Sequence, residues 1–173
     1  IIRKEWLEKA SKEEPYDVFI SFKQSDREND IEKTKDYYAC LEIYNYLQYK
    51  CGLNVFFSPE TLKNKISERY EPYIYNALNT SKVMILYDQK PEYLTSTWVK
   101  NEWIRYLRKI INHEKEPNSL IVAYENFDAY KLPKELKGLQ ALNASSKDFL
   151  ITLTNHINKV IEEESNKQKL NKT

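Results

Sequence analysis

The sequence predicts a doubly wound α/β domain built on five short parallel strands. Two observations point there. Runs such as Val83–Tyr87 and Ser119–Tyr124 are apolar at nearly every position, without polar alternation, as expected of strands covered on both faces. Between such runs lie segments with apolar residues at helical spacing, so strand and helix alternate along the chain. The 173 residues suffice for one domain of this kind and are too few for two comfortable ones. Five strands in this rhythm fit the flavodoxin-like arrangement, with helices on both faces of a parallel sheet and ligands bound beyond the carboxyl ends of the strands.

The elements follow in order. Residues 1–14 form a short amphipathic pattern that breaks at Pro15, the expected end of a linker or upstream helix separate from the domain at 15–164. Tyr16–Phe22 is rich in β-branched and aromatic residues and reads as a central first strand. Gln24–Lys33 is a polar loop. From Thr34 to Tyr49 the positions Tyr38, Leu41, Ile43, Tyr44 and Leu47 recur at helical spacing, and Gly52 suits a C-terminal cap.

Leu53–Phe57 is a second strand, stopped by Ser58-Pro59; a polar loop and a helix over Tyr70–Asn79 follow. Val83–Tyr87 is the third strand, and Lys90–Thr95 a loop containing Pro91. Ser96 or Thr97 can cap the next helix, which continues to about Asn112. Ser119–Tyr124 is the fourth strand, Asp128–Lys137 a proline-broken segment, and Leu139–Leu142 a weak fifth strand. Asp148–Glu164 is a closing amphipathic helix, and residues 165–173 are read as a polar, frayed tail.

Composition narrows the function classes. A net charge of +1, with acidic and basic residues interleaved, offers no footprint for nucleic acid or an acidic membrane surface. No apolar run approaches the ~18 residues of a membrane span. Cys40 and Cys51 stand apart without a CxxC, which suits free thiols in a reducing cytoplasm. His113 and His156 lie on different elements without partner ligands in sequence, so no metal site is expected. Gly52 and Gly138 are the only glycines, which excludes both GxGxxG and a P-loop. The chain begins at Ile1 without methionine and is expected to be a piece of a longer protein.

The chemistry concentrates in Trp98-Val99-Lys100-Asn101-Glu102. On a helix, residues four apart lie one turn apart on one face, so an indole sits beside a carboxylate. Such a pair suits a ligand with an aromatic ring and a developing positive charge. It also suits half-buried packing next to a solvated acid. The loops after the first three strands bring Lys23, Ser58 and the Ser96–Glu102 segment to the same end of the sheet.

The ordered set YDVFISFK, NVFFSPETL, Ser81-Lys82-Val83 and STWVKNEW resembles the TIR (Toll/interleukin-1 receptor) domain of bacterial type, over Glu14 to Glu164. In its catalytic branch that family hydrolyses NAD at the nicotinamide–ribose bond. The resemblance implies that Glu102 is the catalytic glutamate and Trp98 the aromatic residue beside it. It implies further that Phe22, Lys23 and Gln24, and Ser58 on the loop after the second strand, line the substrate site. NAD is then a substrate, no cofactor is needed, and the partners are other TIR domains and a sensor domain upstream or downstream in the same protein. The cellular role it implies is anti-phage defence by NAD depletion or a signalling nucleotide. The loop Glu60-Thr61-Leu62-Lys63-Asn64-Lys65 lacks the glycine common there and is more restricted.

Two other classes remain open. Many TIR domains only associate with one another, and a nucleoside deoxyribosyltransferase uses a related sheet and a glutamate. The first predicts no turnover of NAD, and the second turnover of deoxynucleosides instead.

Overall fold

The computed structural model describes residues 4–23, 34–64 and 70–172. Its sheet has five parallel strands: β1 (Val18–Phe22), β2 (Val55–Phe56), β3 (Val83–Asp88), β4 (Leu120–Tyr124) and β5 (Gln140–Asn143), in the order β2-β1-β3-β4-β5. This is the flavodoxin-like α/β arrangement expected from the sequence. Register is continuous through the centre, with Val18 beside Val83 and Ile85 beside Ile121.

The helices are α1 (Lys4–Ala10), α2 (Lys35–Asn45), α3 (Ser58–Thr61), α4 (Glu71–Thr80), α5 (Pro91–Leu94), α6 (Thr97–Ile111) and α7 (Phe149–Asn171). Strand side chains alternate between two cores. Phe19, Phe56, Met84, Leu86 and Val122 meet α4 and α6 on one face. Val18, Ile20, Phe22, Ile85 and Ile121 meet α2 and α7 on the other. All five side chains of β1 and all six of β3 are buried, which is why these runs carry no polar alternation.

Asp17 closes the base of the sheet. Its carboxylate accepts the Asn54 backbone N–H at 2.8 Å, and its carbonyl oxygen accepts Lys82 and Val83 N–H at 3.0 Å each. The acidic residue at the start of YDVFISFK therefore ties together the entries to three neighbouring strands.

Several boundaries differ from expectation. Residues 1–14 were read as separate from the domain, yet Ala10 on α1 is fully buried in the core that holds Tyr73 and Ala77 of α4. Residues 165–171 continue α7 and are not a separate tail: Lys167, Gln168, Lys169 and Leu170 are good helix formers, and Lys167 Nζ reaches Glu116 Oε2 at 2.8 Å. Pro91 starts a short helix at its first turn, where a missing N–H costs nothing. After α2 the chain widens into a π turn over Tyr46–Lys50, with Cys51 N–H reaching the Tyr46 carbonyl at 3.1 Å. Gly52 then takes φ +70, the left-handed cap position its residue type allows.

Candidate functional site

α6 presents an apolar stripe to the sheet: Val99, Trp103 and Tyr106 are buried, and Trp103 Nε1 donates to the Leu94 carbonyl at 2.8 Å. Glu102 lies at the edge of that stripe and is only 9% exposed. Packing alone would favour an apolar residue there, because burying a carboxylate is costly. Ser21 Oγ donates to Glu102 Oε1 at 2.8 Å, and the Trp98 indole one turn away also favours the ionised carboxylate. Burial outweighs both influences and pushes the Glu102 pKa up to about 8 from an ordinary value of 4.5.

Glu102 lines a cleft of about 270 Å³ between α4 and α6. Trp98 and Asn101 share the α6 wall with it; Glu71, Ile74 and Tyr75 form the opposite wall. A second cavity of about 370 Å³ opens on the other side of Trp98, lined by Ser58, Pro59, Leu62 and Tyr70. Trp98, Glu71 and Ile74 border both spaces. With 55% of its surface exposed, Trp98 stands as a partition between them.

Of the residues singled out from sequence, Glu102, Trp98 and Ser58 are thus gathered around adjoining cavities. Phe22 is not. Its side chain lies on the opposite face of the sheet, 5.3 Å from the Phe57 ring and 6.4 Å from Tyr37. The reason is the period-two alternation of a strand: Ser21 faces α6, so Phe22 must face α2.

Lys23 follows β1 at the strand end. Its carbonyl accepts Thr34 Oγ1 at 2.7 Å, which anchors the N-terminus of α2. Its charge and backbone N–H bear on Asp88 at the end of β3. Asp88 is 1% exposed, and among the described residues neither of its oxygens makes a hydrogen bond of good geometry. Burial and then the neighbouring Asp36 carboxyl raise its pKa well above the usual range, more than Lys23 lowers it. Gln24, the third residue of that group, lies outside the described residues.

Ser21 was quoted within the first strand but not singled out for the site. One signal was present: it is the only polar residue in VFISF, on a strand otherwise apolar on both faces. Glu71, Arg105 and Arg108 were also passed over, because as helix-surface charges they read as solvated.

The arrangement can hold a flat cationic ring against Trp98 with a carboxylate beside it, and can stabilise positive charge that develops in the cleft. Among the described residues no group of three or more His, Cys, Asp or Glu is placed to hold a metal ion, and no helix is long and apolar enough to cross a membrane. Neither a protein-family model nor a curated protein matches this chain.

Proposed function

We propose that the chain is the catalytic domain of an NAD glycohydrolase, with Glu102 as its catalytic carboxylate. The observation that carries this reading is a buried Glu102 held by Ser21, beside Trp98, on the wall of an open cleft. The resemblance to catalytic TIR domains supplies the substrate class, and the same resemblance suggests a role in anti-phage defence.

The chemistry asks little of the protein. Nicotinamide in NAD is a pyridinium, so the C1′–N bond breaks with its electron pair passing to the ring nitrogen, and the base leaves neutral. No general acid is required, unlike the two-carboxylate hydrolysis of an ordinary glycoside. The ribose carbon left behind is oxocarbenium-like; water adds to it and releases one proton, giving ADP-ribose, nicotinamide and H⁺. Attack by a hydroxyl of the same molecule would give a cyclic isomer instead.

Glu102 acts by its negative charge, which raises a question of protonation. With a pKa near 8, the group is largely protonated at neutral pH. A bound pyridinium supplies the opposite charge that burial withholds, and favours ionisation of the carboxyl. Binding a cation and forming the catalytic anion are thereby linked. Trp98 stacks on the ring and keeps water from the base side of the ribose.

The test is direct. The domain is incubated with NAD and the products are separated for nicotinamide and ADP-ribose. Wild type is expected to release nicotinamide, and Glu102→Gln to be slower by about 10²–10³, the usual cost of removing a major electrostatic contact. Equal rates in a folded Glu102→Gln protein would refute the assignment. A second reading, a module that only associates with other copies, is favoured by the large exposed ring of Trp98. It predicts that NAD survives intact with both proteins.

A further inference from the structure

The cleft that begins at Glu102 extends toward two arginines. Trp98, Asn101, Arg105 and Arg108 follow one another along α6 at spacings of three, four and three residues, and all line the same space. Arg105 is fixed in direction, because its Cζ stands 4.0 Å from the centre of the Tyr75 ring on the facing helix. This contact occupies the flat face of the guanidinium and leaves its N–H edge for hydrogen bonds. Among the described residues neither Arg105 nor Arg108 makes an ion pair, although Glu71 lines the same cleft.

Two positive charges that form no ion pair among the described residues, in a cleft that also holds the buried Glu102, describe a site for a ligand with both signs of charge. From Glu102 to Arg108 the helix rises about 9 Å. That is the scale of the span from the anomeric carbon of a nucleotide's ribose to its 5′-diphosphate. Arginine suits such a group, since its planar fork meets phosphate oxygens in pairs.

We propose that Arg105 and Arg108 bind the diphosphate of the dinucleotide whose glycosidic bond lies at Glu102, so that the cleft selects dinucleotides over nucleosides. This rests on the catalytic reading given above for Glu102. A competing account is available for Arg108, which lies in the last turn of α6 and complements the helix dipole there. Lys109, its neighbour in the same turn, shares that role but does not line the cleft. It therefore serves as the control.

The experiment measures binding of ADP-ribose and of inorganic pyrophosphate by titration calorimetry, independently of turnover. ADP-ribose is expected to bind wild type and Lys109→Gln with affinities within about twofold of one another. Arg105→Gln/Arg108→Gln, a pair of surface changes, should bind at least about tenfold more weakly, and inorganic pyrophosphate should compete with ADP-ribose in wild type and in Lys109→Gln but not in the double variant. In turnover, the double variant should raise KM for NAD while leaving cleavage of nicotinamide riboside, which has no phosphate, unchanged. Equal binding by the double variant, equal weakening in Lys109→Gln, or no binding by wild type would overturn the assignment. If the arginine effect holds while Glu102→Gln still cleaves NAD, the diphosphate site stands and the catalytic role of Glu102 falls.

Discussion

Ser21 Oγ lies 2.8 Å from Glu102 Oε1, joining β1 to α6 across 81 residues of sequence. Both groups are buried, and each answers the other's need for a hydrogen-bond partner. The contact fixes one oxygen of the carboxylate on the wall of the cleft.

Ser21 is accordingly a positioning residue. Its hydroxyl favours the ionised carboxylate, so Ser21→Ala should move the Glu102 titration to higher pH, by roughly one pH unit. For NAD cleavage, kcat/KM in wild type should rise with pH through a limb near 8. The limb should move upward in Ser21→Ala, and Ser21→Thr should restore it. A profile that keeps its limb and only loses height would assign Ser21 to packing alone.

Glu102 should also mark the stability of the fold. Its folded pKa, about 8, lies above the ordinary 4.5. Below pH 4.5 the carboxyl is protonated in folded and unfolded chains alike. Between 4.5 and 8 the unfolded chain ionises while the folded chain keeps its proton, so stability falls as pH rises, and above 8 the loss is complete. The loss is on the order of 3–5 kcal/mol. Urea unfolding should therefore find Glu102→Gln more stable than wild type at pH 8.5 and closest to it near pH 4.5. A constant difference across that range would mean that the carboxyl titrates normally.

The two tryptophans of STWVKNEW should respond in opposite ways. Trp98 is 55% exposed, so Trp98→Ala should change stability by less than about 1 kcal/mol while activity nearly disappears. Trp98→Phe should retain part of the activity, because a ring remains. Trp103 is fully buried and donates to the Leu94 carbonyl, so Trp103→Ala should cost about 3–5 kcal/mol. Paired melting curves and rates separate the two roles; a Trp98→Ala protein that unfolds as readily as Trp103→Ala would make Trp98 a core residue.

Asp88 offers a test away from the cleft. A raised folded pKa means that its contribution to stability is greatest at low pH and is lost as pH rises above the ordinary 3.8 through the folded value. Asp88→Asn removes the ionisable group, and the charge that Asp36 would face, without changing size. Its melting temperature should exceed that of wild type at pH 7 and the two should converge below pH 4. A lower melting temperature at pH 7 would show that the ionised pair is held by Lys23 after all.

Much of the fold was legible in the sequence because strand burial on both faces leaves unbroken apolar runs, and β1, β3 and β4 are such runs. α6 was legible through its spacing, and with it the neighbourhood of Trp98 and Glu102. The start of α5 and the end of α7 were less clear, since Pro91 and the polar residues after Glu164 are equally at home in loops and in helices. Local pattern alone determined which residues share a helix face or a strand. Only the tertiary structure decided which faces meet: that Ser21 turns to Glu102 while Phe22 turns to Phe57, and that Arg105 stands over Tyr75. The physical reason is range. Periodicity is set by backbone geometry within a few residues, whereas the pairing of β1 with α6 follows from the packing of both cores against the sheet.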